Sequence, residues 1–88
     1  MSGIGEELAE RFDLPGEAAA GAPRITLSGS SRVMVENHRG LLSYSDTMAE
    51  IRGARLLIRV RGDGLLLRAM DRDVVLVGGT IFGVELEG

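Results

Sequence analysis

A chain of 88 residues with no cysteine, one histidine and a net charge of −3 makes one small domain, held together without disulfides or thiolate metal sites. Phe12, Tyr44 and Phe82 are its only aromatic residues, so the core has to be built from leucine, isoleucine and valine, and an aliphatic core of this size gains from an oligomer or a partner. All ten basic residues are arginine; residues 1–22 set five carboxylates against Arg11 and the remainder sets nine arginines against eight carboxylates, a balance that argues against nucleic-acid binding.

From the N-terminus, Ile4, Leu8 and Phe12 recur four residues apart, which aligns them on one stripe of a short amphipathic helix. Leu14-Pro15-Gly16 ends that helix, and Glu17 to Ala22 is an alanine and glycine stretch closed by Pro23. Residues 1–22 are therefore expected to form an arm and flexible linker, ordered only where the stripe docks, and residues 23–88 a β-domain. No apolar run exceeds four residues and the acidic start is unlike a leader peptide, so a soluble, cytoplasmic chain with no membrane span is expected.

From Arg24 the period becomes two. Arg24 to Ser28 points Ile25 and Leu27 to one face, Arg32 to Glu36 points Val33 and Val35, and Leu41 to Ser45 points Leu42 and Tyr44. Arg55 to Arg61 alternates Leu56, Ile58 and Val60 with a mainly cationic face, and Gly62-Asp63-Gly64 predicts a hairpin into Leu65 to Met70. Val74 to Val77 follows, Gly78-Gly79 predicts another hairpin, and Thr80 to Glu87 points Phe82, Val84 and Leu86 inward with a bulge at Gly83. Seven or eight short strands joined to their neighbours predict an all-β antiparallel meander, closed as a small sandwich or barrel. The recurrence of Gly53 to Arg59 as Gly62 to Arg68 leaves a β-solenoid as the alternative.

Little in this pattern carries chemistry. His38, beside Glu36 and Asn37, is a candidate base or metal ligand, but no second histidine, cysteine or Glu-x-x-His spacing completes a metal set. The serines form no nucleophile elbow and the glycines no phosphate loop. The chain therefore reads as a protein without enzymatic activity or cofactor. The candidate interaction surface comprises Glu36, Asn37, His38, Arg39, Arg55, Arg59 and Arg61. Its arginines lack the aromatic interleaving of an RNA platform and have Glu50, Asp63, Asp71, Asp73 and Glu85 as cross-strand partners. A small-anion or glycan-precursor module at the turn from Glu36 to Gly40 is the alternative use of that surface.

Two stretches are more distinctive as a signature: Pro23-Arg24-Ile25-Thr26-Leu27-Ser28-Gly29, and Val35-Glu36-Asn37-His38-Arg39-Gly40-Leu41-Leu42-Ser43-Tyr44-Ser45. In these, and in the rhythm of Gly62-Asp63-Gly64-Leu65 and of Gly79 to Leu86, the chain resembles the YabP/YqfC family of sporulation proteins, on its YqfC-like branch. The resemblance spans about Leu14 to Leu86, and departs near Ile51 to Arg55, where the turn glycine stands early, at Gly53. It implies a protein of endospore formers, acting in the mother cell and not as an enzyme. It also implies a membrane-bound sporulation partner at the forespore membrane, alongside the homo-oligomer that the small core suggests.

Overall fold

Period-two alternation continues from Arg24 to the C-terminus, and each stretch that shows it becomes a strand. The computed structural model describes residues 21–88; the expected helix at Ile4 to Phe12 and most of its linker lie outside them. The strands are β1 (Arg24–Ser28), β2 (Arg32–Glu36), β3 (Gly40–Tyr44), β4 (Met48–Gly53), β5 (Leu56–Met70) and β6 (Val74–Glu87). All pair antiparallel in one sheet of order β1-β2-β6-β5-β4-β3. The all-β antiparallel expectation holds, and antiparallel pairing throughout rules out the solenoid alternative.

The sheet folds over on itself. Fifteen residues at about 3.3 Å each would carry a straight β5 roughly 50 Å, yet the molecule is 35 Å in its longest dimension. The bend falls where the β5–β6 register slips, between Arg61 and Gly62 and again between Asp63 and Leu66. On one side, β1, β2, the start of β6 and the end of β5 form a first layer; on the other, β3, β4, the start of β5 and the end of β6 form a second. Between the layers lies an aliphatic core of Val33, Val35, Ala49, Ile51, Ile58, Val60, Leu65, Val75, Val77 and Ile81.

Turning a corner without ending a strand requires partners for the main-chain groups released there. The two hairpin turns provide them in the same way. Gly62 and Leu65 donate their N–H groups to the carbonyls of Thr47 (3.0 Å) and Asp46 (2.8 Å), in the β3–β4 turn. Gly79 and Ile81 donate to Ser31 (3.1 Å) and Ser30 (2.8 Å), in the β1–β2 turn. Gly62-Asp63-Gly64 and Gly78-Gly79 are thus corners inside β5 and β6 and not the expected hairpins, which joins four of the stretches named from the sequence into two; β4, which was not among them, brings the strands to six. Only glycine fits there: a Cβ on Gly62 would overlap the Thr80 carbonyl oxygen, and one on Gly79, at φ 129°, would stand 2.6 Å from the Gly64 carbonyl oxygen.

Bulges also reset which residues face inward. Arg61 pairs with Gly83 but Gly62 with Ile81, so Phe82 is the additional residue; Ile81 is buried, while Phe82, expected inside, is 67% exposed. A slip between Leu41 and Ser43 likewise packs Leu41 on the core and turns Leu42 out, while Tyr44, in register with buried Ala49 as expected, remains partly exposed. Leu27 and Leu86 do share the faces of Val33 and Ile58, their partners in register, but stand on outer strands that nothing described covers. Gly62→Ala is expected to destabilise the domain by about 2–4 kcal/mol, read as a lower urea midpoint; a midpoint equal to wild type would show that the corner tolerates a side chain.

Candidate functional site

The segment from Glu36 to Gly40 is the crossover from the first layer to the second. Asn37 adopts a left-handed φ of 64°, a conformation asparagine tolerates better than most residues, and Gly40 continues at φ 137°. Asn37 N–H donates to the Asp73 carbonyl (2.6 Å) and its side-chain Nδ2 to the Ala22 carbonyl (3.1 Å), while Arg39 N–H donates to the Arg52 carbonyl (2.7 Å). His38, 8% exposed, closes the arrangement. Gly40 N–H donates to its Nδ1 (3.0 Å), which places the ring proton on Nε2, and Nε2–H donates to the Asp71 carbonyl (2.8 Å). Neither ring nitrogen retains a free lone pair for a metal or a substrate proton.

Asp71 belongs to the same assembly. Its Oδ1 accepts the N–H groups of Val74 (2.7 Å) and Asp73 (2.8 Å), and those bonds, Val74 first, hold its carboxyl below the usual aspartate value. The histidine, the asparagine and the β5–β6 turn therefore form one staple across the end of the two layers. Pro23 completes that end: it is buried against Gly53, where an added Cβ would lie 2.8 Å from its Cγ. The early glycine at 53 is the residue that admits this proline.

The candidate arginines go elsewhere. Arg55 sits in the β4–β5 turn with φ 63°, and Arg59 and Arg61 lie on the outer face of the second layer. There Arg59 joins Glu50 (2.9 Å) and Glu87 (2.6 Å), Arg61 joins Glu85 (2.9 Å), and Ser43 Oγ donates to Glu50 (2.9 Å). Hydrogen bonds from Arg59 and then Ser43 hold the Glu50 carboxyl below its ordinary value. The cationic face read from the sequence is a ladder of matched charge, and it does not converge with Glu36, Asn37, His38 and Arg39. An open depression of about 490 Å³ near Leu42, Arg52, Arg55 and Leu57 does not include His38. Among the described residues no group of three or more histidine or acidic side chains is placed to hold a metal ion, and no helix is long and apolar enough to cross a membrane.

The outer face of the first layer carries an apolar row between charged residues at Arg24, Arg32, Glu36 and Arg68, and alternation along single strands did not reveal it. Thr26, Met34, Leu76 and Ala69 form one row across four strands, each beside residues that point inward. Leu66 stands beyond that row, 55% exposed. The signal was present in Met34 and Leu76, which alternate with the core valines.

These features define a small all-β domain whose folded sheet carries a ladder of ion pairs on one outer face and an apolar row on the other, and whose polar signature is bonded to its own backbone. The YabP family model matches residues 20–88, and the chain belongs to that family, as the resemblance implied. It is 28% identical over 74 residues to the protein named "Uncharacterized protein YqfC" of Bacillus subtilis (strain 168), across 84% of this chain and 80% of that one. No solved structure matches the chain.

His38→Ala leaves the Gly40 N–H and the Asp71 carbonyl without their partner, and is expected to cost about 2–4 kcal/mol in urea unfolding; an unchanged midpoint would contradict the staple. Because the folded Asp71 carboxyl titrates lower than in the unfolded chain, its contribution is complete above the unfolded value and disappears as pH falls through the folded one. Thermal melts of Asp71→Asn should thus show a shallower loss of stability below about pH 4 than wild type, with Glu50 supplying part of the remaining slope.

Proposed function

We propose that this chain is a non-enzymatic sporulation protein that works by protein–protein contact in endospore formation, with a membrane-bound sporulation protein at the forespore as its partner. Membership in the YabP family suggests the sporulation-related role. The observation that supports contact is the contrast between the two outer faces. In the second layer Arg59 and Arg61 are matched by Glu50, Glu85 and Glu87, whereas in the first the row through Met34 and Leu76, with exposed Leu66, offers apolar surface between charged residues at Arg24, Arg32, Glu36 and Arg68. The polar turn at His38 favours this reading over the anion-binding alternative, since its ring and main-chain groups are engaged internally.

Deleting the gene in a spore former without a second family member should lower the count of heat-resistant spores, and normal counts would overturn the assignment. Leu66→Glu, at an exposed position, should leave the melting temperature near wild type and lower the spore count toward that of the deletion. Arg59→Ala, on the matched-charge face, should leave the count near wild type.

A further inference from the structure

The two corners of the sheet are built alike but finished differently. Past its corner, β5 loses β4, whose pairing stops at Arg61, and the Tyr44 hydroxyl takes the vacated edge: it accepts the Leu67 N–H (3.3 Å) and donates to the Leu65 carbonyl (2.8 Å). Past its own corner, β6 loses β2, whose pairing stops at Gly78; Ser31 and Ser30 take Gly79 and Ile81, and among the described residues no hydrogen bond reaches that edge from Gly83 to Glu87. The position equivalent to Tyr44 at the end of β1 is Ser28, whose side chain is too short to cap anything there.

The uncapped edge also lacks the usual guards. β1 follows a proline and carries Arg24, and β3 is kinked by its bulge, whereas Phe82 to Leu86 holds no proline, lysine or arginine. It exposes Phe82 (67%) and Leu86 (41%) on either side of half-buried Val84. Its two outward carboxylates are already matched, Glu85 by Arg61 and Glu87 by Arg59.

We propose that this edge is a homodimer interface, in which Phe82 to Leu86 pairs antiparallel with the same segment of a second copy about a twofold axis at Val84. The segment is self-complementary in that register. Phe82 faces Leu86 of the other copy, Val84 faces Val84, and Gly83 faces Glu85, so no carboxylate is set directly against another. The second layer then continues across both copies and the edge is paired. The proposal rests on the contact-making reading above and names one surface on which contact occurs.

The chain has no cysteine of its own, so single cysteines report the register in the full-length protein. Residues directly opposite on antiparallel strands have Cα atoms about 4.5–5.5 Å apart, within disulfide reach. Mild oxidation should therefore link Val84→Cys to itself and leave Glu85→Cys, Leu27→Cys and Leu66→Cys monomeric. Sedimentation across a concentration series should show a dimer, weakened roughly tenfold or more by Phe82→Asp at its exposed position. A monomeric mass at every concentration, a dimer indifferent to Phe82→Asp, or linkage through Leu27 or Leu66 in place of Val84 would overturn the proposal. A monomeric protein whose deletion still depresses heat-resistant spores would overturn the dimer alone, whereas normal spores from the deletion would overturn the contact reading whatever the mass.

Discussion

The molecule depends on two strands turning corners without losing their main-chain hydrogen bonds. β5 and β6 each belong to both layers, so if both ended at their corners the sheet would no longer be continuous from one layer to the other. The carbonyls of the two hairpin turns prevent this by accepting the amide protons of Gly62, Leu65, Gly79 and Ile81. Glycine is required at the approach because chain packs on chain there with no room for a side chain. Everything else follows from that fold-over: the aliphatic core is the space it encloses, and the outer faces are what it leaves to solvent.

A small core without disulfides needs its ends held as well as its middle filled. At one end this is done by polar groups. His38 bridges Gly40 and Asp71, Asn37 bridges Asp73 and Ala22, and Pro23 fills the space above Gly53. These contacts join residues up to 33 positions apart in sequence, so they restrain the layers and not merely the local turn. The family signature and the structural staple are thus the same residues, which accounts for a polar, histidine-containing turn in a chain that shows no catalytic partner for it.

The two layers are built alike and finished differently. One outer face carries a ladder in which Arg59 and Arg61 meet carboxylates, a pattern that adds little net stability. The other sets a row of threonine, methionine, leucine and alanine among charged residues. One corner is closed by a phenol, and among the described residues nothing closes the other. That inequality, more than any single residue, is what supports the proposed contact with other proteins.

Much of the β-class was legible in the sequence, because alternation records which side of a strand is buried: Val33, Val35, Ile58 and Val60 read as core and are core. The family signature was legible for a related reason, since a run such as Glu36 to Gly40 is recognisable without knowing what it touches. Parity at a bulge was not. One additional main-chain residue at Phe82 or Leu42 makes Ile81 and Leu41, not Phe82 and Leu42, face the core, and its presence depends on the neighbouring strand's hydrogen bonds. Nor could Gly62-Asp63-Gly64 and Gly78-Gly79 be told from hairpins, because glycine permits either and the choice belongs to carbonyls of Asp46, Thr47, Ser30 and Ser31, contributed by other turns. The sequence by itself determined an all-β domain with an aliphatic core and a recognisable polar turn. Only the tertiary structure decided that the sheet folds over, that the turn is a staple, and which edge stays unpaired among the described residues, because each rests on contacts between residues far apart along the chain.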